Sequence, residues 1–362
     1  LHMMVQATHA PDRQEKEVTS LGGSPVLSVA TIGNEYPALR ALVKKAGLFK
    51  TQHLFYVLQY IWVTLLLTLS IVLLFATRNL FVQFLNAVLL SFAFGQVGLL
   101  LHDHAHQQVY SKSWVNTILG YVFAFIIGVS LPWWNDKHNA HHISPNHLER
   151  DPDFLPFFAY TEEQALSKKS FFSRLFVKHQ GWFIIPMQCT LMFGFLYSCV
   201  EYLLKQKFRR QLLEFSLIAA HFALYFGLIF LALGVWRGIF FVAVHYLVWG
   251  FYMGMAFAPN HKGMPLLDEE AHKGFFRAQV LTARNMRGSP FVDLLYGGLN
   301  YQIEHHLFPH MPRNILRKAQ VIVKKFCKEH AVSYHETSVF ESFSEIVRYM
   351  NAMGSVLRRK PV

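Results

Sequence analysis

The 362-residue chain is 53% apolar and only 15% charged, whereas a soluble domain carries roughly a quarter charged residues. That balance excludes an ordinary water-soluble globule and points to a bilayer, where charge is costly and apolar surface needs no shared interior. The formal net charge is +12, yet the basic residues sit between and after apolar segments. This pattern excludes a nucleic-acid surface, fits anionic lipid headgroups, and marks the cytoplasmic side.

Residues 1–50 are polar, show no apolar core ahead of a cleavage site, and read as a cytoplasmic lead-in with helical potential over 36–49. Residues 54–77 form an uncharged run long enough to span a bilayer. Arg78-Asn79 then makes a turn, and 80–101 is a second uncharged run, so a transmembrane hairpin is expected. The second helix is expected to continue through His106, roughly 40 Å of helix against an apolar core about 30 Å thick. Its last turns then project about 10 Å from the lipid, carrying His102 and His106.

Residues 114–134 are also apolar, but a crossing there would put the histidines on either side of it on opposite faces. The stretch is therefore expected to be re-entrant or interfacial, with Trp133 and Trp134 at headgroup level. Three more apolar stretches follow, 182–204, 212–234 and 238–258. The same parity requires one of them not to span. The first contains Pro186 and Glu201 and runs into Lys205-Gln206-Lys207-Phe208-Arg209-Arg210, so it is the one read as non-spanning. The expected fold is thus all-α and integral to the membrane: four transmembrane helices in two hairpins, interfacial helices, and a polar, basic cytoplasmic helical cap over 262–362. By domain, 1–50 is the N-terminal lead-in, 51–330 the membrane domain and 331–362 a basic C-terminal tail. Cys189, Cys199 and Cys327 make no Cys-x-x-Cys pair, so neither a disulfide framework nor a thiolate zinc site is indicated.

The chemistry is carried by histidine, of which there are 20. His102-Asp103-His104-Ala105-His106 places His102 and His106 one helical turn apart on one face. His138-Asn139-Ala140-His141-His142 repeats the arrangement at i, i+3 and i+4. Gln302-Ile303-Glu304-His305-His306 does so again, with Gln in the first place. Imidazole suits Zn, Cu, Fe and Ni, and this many imidazoles exceed the four positions of one tetrahedral zinc. They suffice for two metals with open positions. His104 lies off the face of its neighbours, and His147 and His310 fall out of pattern. His221 and His245 lie inside apolar spans and read as core hydrogen-bonding groups. Asp103, Asp136, Asp151, Asp153 and Glu304 are candidates to orient ligand imidazoles, with Asp151-Pro152-Asp153 equally readable as a turn of the chain.

These clusters, in this order and spacing, resemble the membrane fatty acid desaturase family. The likeness extends to Ala256-Phe257-Ala258-Pro259-Asn260-His261-Lys262-Gly263-Met264-Pro265, to Thr282-Ala283-Arg284-Asn285, and to Gly298-Leu299-Asn300-Tyr301-Gln302-Ile303-Glu304-His305-His306-Leu307-Phe308-Pro309. Within that family the segments are similar to bacterial acyl-CoA or acyl-lipid desaturases related to the front-end, linoleoyl-CoA type. The resemblance implies a non-haem di-iron centre on the cytoplasmic face, with His102, His106, His138, His141, His142, His261, His305 and His306 as ligands. It leaves Gln302, Asp103 and Glu304 as outer partners. It implies a long-chain acyl-CoA or acyl-lipid substrate in an apolar tunnel, for which 249–257 supplies candidate walls. It also implies dioxygen, membrane lipids, and an external electron donor: a ferredoxin, cytochrome b5 or flavin reductase, since no His-Pro-Gly-Gly haem motif occurs. The basic stretch 313–328 is a candidate receiver for an acidic partner or for CoA phosphates. Two alternatives stand beside this reading: a hydroxylase or ketolase of the same di-iron chemistry, and a membrane metal transporter.

Overall fold

The computed structural model describes residues 26–27, 35–267 and 274–358. After α1 (Glu35–Lys45), the first hairpin is α2 (His53–Ala76) and α3 (Leu80–Ala105). Its turn is built by Asn79, whose side-chain oxygen accepts from the amides of Phe81 and Val82 at 3.0 and 3.1 Å and caps the new helix. The Gln83 amide reaches back to the carbonyls of Leu73 and Thr77, both at 2.8 Å, and ties the hairpin shut. The second helix ends at Ala105 with His106 as its cap, close to the expected point.

Next come α4 (Ser113–Ile127) and α5 (Leu131–Ile143), bent by 104° at their junction. Gly128 ends α4 in the left-handed region at φ 73°, and Ser130 and Pro132 open α5. The bend changes where the indoles go. Trp133 and Trp134, expected at headgroup level, do not face outward: both are buried, because α5 turns back and packs them against Phe195 and Phe257.

Four short helices, α6 (Glu162–Leu166), α7 (Phe171–Lys178), α8 (Gln180–Phe183) and α9 (Leu191–Leu204), follow, with a 3-10 turn over Pro186–Thr190 before the last. The second hairpin is α10 (Phe208–Leu233) and α11 (Val235–His261), reversed at Gly234. Among the described residues five helical stretches are long and apolar enough to cross a membrane: His53–Ala76, Leu80–Ala105, Pro186–Leu204, Phe208–Leu233 and Val235–His261. The third joins the 3-10 turn to α9 over 19 residues, long and apolar enough to cross although the sequence reads it as non-spanning. Large apolar side chains such as Leu54, Leu65, Leu231 and Trp236 stand exposed along these helices, a surface suited to lipid and not to water.

Arg78 Nε donates to the carbonyl of Ala232 at 3.0 Å, so the tips of the two hairpins lie together. The free ends of α3 and α11 therefore emerge together at the other end, and both carry histidine. A layer of helices closes over that end: α12 (Phe275–Leu281), α13 (Pro290–Tyr296), α14 (Gln302–Leu307), α15 (Leu316–Glu329) and α16 (Val339–Ser355). Phe276, Ile303, Leu316, Val323 and Phe326, with Leu39 and Val43 of α1, form its apolar core. Two-residue parallel pairings join Val26–Leu27 to Leu266–Leu267 and Asn285–Met286 to Glu336–Thr337.

Candidate metal centre

Four helix segments converge at this end. The last turns of α3 bring His102 and His106, α5 brings His138, His141 and His142, α11 ends on His261, and α14 brings His305 and His306. They sort into two groups. In the first, the ligand atoms of His102, His106, His138, His142 and His305 all lie within 4.8 Å of one another. His305 Nε2 is 3.1 Å from His102 Nε2 and 3.1 Å from His142 Nε2, and His142 Nε2 is 3.1 Å from His138 Nε2. The second group is His141, His261 and His306, where His261 Nε2 is 3.3 Å from His141 Nε2 and 3.1 Å from His306 Nε2. The rings of His142 and His306 stack at 4.2 Å between the groups.

The outward nitrogens explain why the inner ones suit a cation. His141 Nδ1 faces Asp151 Oδ1 at 2.9 Å, His261 Nδ1 faces the Thr282 carbonyl at 3.0 Å, and His306 Nδ1 faces Gln279 Oε1 at 2.7 Å. Each partner is an acceptor, so each Nδ1 carries the proton and each Nε2 is left with a lone pair. Three lone pairs pointed at one another repel, unless a positive charge sits among them. His106 Nε2, buried and without a hydrogen-bond partner, has the same need in the first group. Burial and the neighbouring imidazoles push His305 and His306 well below the usual imidazole range, which keeps them in the neutral form that binds metal. The donor set is nitrogen throughout, with no cysteine in either group.

The outer partners differ from those expected in several places. Asp151 fills its expected role. Its second oxygen accepts from the Asn146 amide at 2.8 Å, so the carboxylate is itself fixed. Asp153 Oδ2 lies 3.5 Å from His141 Nδ1. Asp103 sits 3.6 Å from His102 Nδ1 and 3.3 Å from Arg313 Nη1. Glu304 points away from the metal groups and accepts from Asn285 Nδ2 and Tyr334 Oη at 2.6 and 2.7 Å; burial raises its carboxyl to about 7. Asp136 pairs with Tyr202 and not with an imidazole. His104 lies off the metal face, between Tyr60 Oη at 2.9 Å and Asn116 Oδ1 at 3.2 Å. His310 faces the backbone carbonyl of His106 at 2.6 Å, and His147 bridges to Leu267. Gln302 Nε2 lies 3.0 Å from His261 Nε2 while its oxygen is buried without a partner. Turning the amide over would bring that oxygen to the second group instead.

Sequence reasoning missed Gln279, Thr282 and Asn146. Gln279 and Thr282 are three residues apart on one turn, and Asn146 Nδ2 donates to the carbonyl of His261 at 3.0 Å. The conspicuous Thr282-Ala283-Arg284-Asn285 run was a signal, but nothing local says which backbone carbonyl meets which ring. The outer shell yields a direct expectation. Asp151→Ala should weaken metal retention by about 10- to 100-fold, read as loss of bound metal to a titrated chelator.

A sequence model described as fatty acid desaturase matches residues 79–338. The chain belongs to the fatty acid desaturase family. Relatives of this desaturase-family chain include the acyl-lipid (9-3)-desaturase of Physcomitrium patens, 30% identical over 333 residues, covering 88% of this chain and 62% of that protein. The Delta(6)-fatty-acid desaturase fat-3 of Caenorhabditis elegans is 32% identical over 292 residues, covering 76% of this chain and 66% of that protein. The Delta(5) fatty acid desaturase fat-4 of the same organism is 30% identical, covering 89% and 74%. The chain thus spans somewhat under two thirds of the first two relatives.

Proposed function

We propose that this desaturase-family protein is an O2-dependent fatty acyl desaturase that introduces a cis double bond into a long-chain acyl-CoA or acyl-lipid at a di-iron centre. The observation that carries the reading is a pair of adjoining imidazole groups, one of them bordering a largely apolar cavity. That cavity, of about 370 Å3, has His141 and His261 on its wall, and Phe154, Leu155, Phe158, Phe195 and Phe257 among its lining.

His102, His106, His138, His142 and His305 would hold one iron, and His141, His261 and His306 the other, with Gln302 beside them. Iron at these positions would supply the reduction of dioxygen and the oxidising strength to take hydrogen from an unactivated methylene. The protein's part is positioning, since neighbouring methylenes differ little in reactivity. The aromatic wall holds the acyl chain and excludes water. Asp151, Thr282 and Gln279 hold the imidazoles in one tautomer and orientation. The overall change removes two hydrogens from adjacent carbons. Dioxygen takes four electrons to give two waters; two come from the substrate and two from a donor. The donor is a ferredoxin, cytochrome b5 or flavin reductase.

The topology that suits this chemistry is four spans in two hairpins, with the histidine end on the cytoplasmic side. Residues 51–330 make up the catalytic domain in this reading. The names Delta(6) and Delta(5) of two relatives favour a double bond set by counting from the carboxyl end.

Expression in a host lacking such activity, followed by fatty acid profiling, tests the proposal. The expected product is two mass units lighter than its precursor, with about two irons per chain in the purified protein. A product heavier by one oxygen would move the assignment to a hydroxylase, and a chain with metal but no acyl product would refute it.

A further inference from the structure

The short helices ahead of the Pro186–Leu204 stretch carry a surface that the metal chemistry does not use. At about 100° per residue, α7 divides into three sectors. Ser173, Phe176 and Val177 face the protein: Val177 is buried, and the Phe176 ring stacks on Phe183 with centroids 5.3 Å apart. Phe171, Phe172 and Leu175 form an apolar stripe, and the first two are 73% and 80% exposed. Arg174 and Lys178 form a basic stripe beside it. Trp182 of α8, 74% exposed, adds to the apolar side, and Lys168 and Lys169 just before α7 add to the charge. No acidic residue occurs between Glu163 and Glu201. A helix with one side on protein, one apolar and one cationic suits the headgroup plane of an anionic bilayer, with its apolar side sunk about 5–10 Å. Its place in the chain agrees, since α8 leads directly into an apolar stretch long enough to cross.

This surface is continuous with the cavity beside His141 and His261. The Phe176 ring lies 5.3 Å from that of Phe158 and 6.0 Å from that of Phe157, and both of those residues line the cavity. Lys168 Nζ donates to the carbonyl of Pro156 at 2.7 Å, and Arg174 Nη1 to the carbonyl of Lys168 at 3.3 Å, so the cations are tied to the segment that forms the wall. From the histidines the lining reaches the surface at Leu155, Phe157, Thr190 and Phe193, all exposed. Of the cavity's own cations, Lys137 is paired with Asp153, and Lys262 lies over the Tyr160 ring at 5.8 Å. Lys169, Arg174 and Lys178 are left to meet a phosphate outside.

We propose that α7 and α8 form a bilayer-inserted rim that opens the cavity sideways to lipid, so that an acyl chain still attached to an anionic phospholipid enters from the membrane with its phosphate held by the rim cations. The proposal rests on the acyl desaturase reading and deepens it by choosing the carrier of the acyl chain. The phosphates of CoA offer the same chemistry to Lys and Arg. A CoA thioester arrives from water, however, and would leave the exposed stripe of Phe171, Phe172 and Leu175 without a role.

Two measurements test it. In the first, Phe172→Cys and Lys169→Cys are spin-labelled and reconstituted into vesicles of phosphatidylcholine and phosphatidylglycerol, with labelled wild type as the background for the native cysteines. The label at 172 should be relaxed by oxygen and shielded from a water-soluble nickel chelate, and the label at 169 should show the reverse. Equal exposure of both labels to the chelate would overturn the rim. In the second, a host lacking the activity expresses the protein and is pulsed with isotope-labelled fatty acid. Labelled product should appear in phospholipid before it appears in the CoA pool. Lys169→Glu/Arg174→Glu/Lys178→Glu should slow its appearance by about fivefold for each cation lost, and Lys169→Arg/Arg174→Lys/Lys178→Arg should keep the wild-type rate. Product first in the CoA pool, an unslowed charge-reversed variant, or loss of product in both triple variants would overturn the route while leaving the desaturase reading intact. A wild type without product would overturn that reading and the route with it, and the label at 172 would still decide whether the rim enters lipid.

Discussion

His305→Ala is expected to abolish desaturation, with product falling by more than about a hundredfold, and to release metal from the five-imidazole group. His305 is the hinge of that group. Its Nε2 lies 3.1 Å from those of His102 and His142, and it alone comes from the capping layer, while the other four come from α3 and α5. Losing an orienting partner of a metal ligand already costs 10- to 100-fold in affinity or activity, and losing the ligand should cost more. His104→Ala is the matched control. His104 is equally buried and lies two residues from both His102 and His106, but it bonds to Tyr60 and Asn116 away from the metal groups. That variant should lose some stability and keep its metal. The measurements are metal per chain in purified protein and fatty acid profile in the expression host. Full metal and full product in the His305 variant would remove the basis for placing iron there.

The three histidine clusters were legible because helical spacing is a local property. Residues at i, i+3 and i+4 share a face wherever the helix goes, so His102 with His106, and His138 with His142, could be paired from the sequence, whereas the turn of His141 to the second group could not. His261 has no such local partner and rested on resemblance; in the structure it completes the second group from the end of α11. The two hairpins were legible from uncharged runs and from the turn at Arg78-Asn79. The inward turn of Trp133 and Trp134 was not, because it depends on the left-handed Gly128 and the 104° bend that follows. A tryptophan pair near a membrane boundary has the same composition whether it faces lipid or folds under the site. Gln279 and Thr282 were illegible for a related reason. Their roles arise only when α12 is laid over the ends of α5, α11 and α14, a packing that no periodicity encodes.

The other large effect falls on the fold. Arg284→Met is expected to lower stability by about 3–5 kcal/mol, the usual consequence of removing one partner from a buried ion pair. The Arg284 side chain is fully buried, and its guanidinium donates to the Glu345 carboxylate, to the carbonyl of Lys262 and, at 3.2 Å, to that of Ser342. Lys262 follows His261, and Ser342 and Glu345 lie on α16. One side chain thus fastens the His261 end of α11 to the last described helix. Burial lowers its pKa to about 10, against the pull of Glu345, so it remains charged at neutral pH. Methionine keeps much of the volume but none of the donors, so the carbonyls of Lys262 and Ser342 lose theirs and Glu345 keeps only His335 Nε2, at 3.0 Å. Arg284→Lys should restore little, because a single ammonium cannot reproduce a planar fork serving three acceptors. Glu345→Met in the Arg284→Met background should recover little, because the partly exposed Glu345 carboxylate keeps His335 Nε2 at 3.0 Å. Thermal unfolding of the purified protein in detergent reads all three. If Arg284→Met melted with wild type, the cap would not depend on this junction, and the position of His261 would have to be fixed by Thr282 and Asn146 alone.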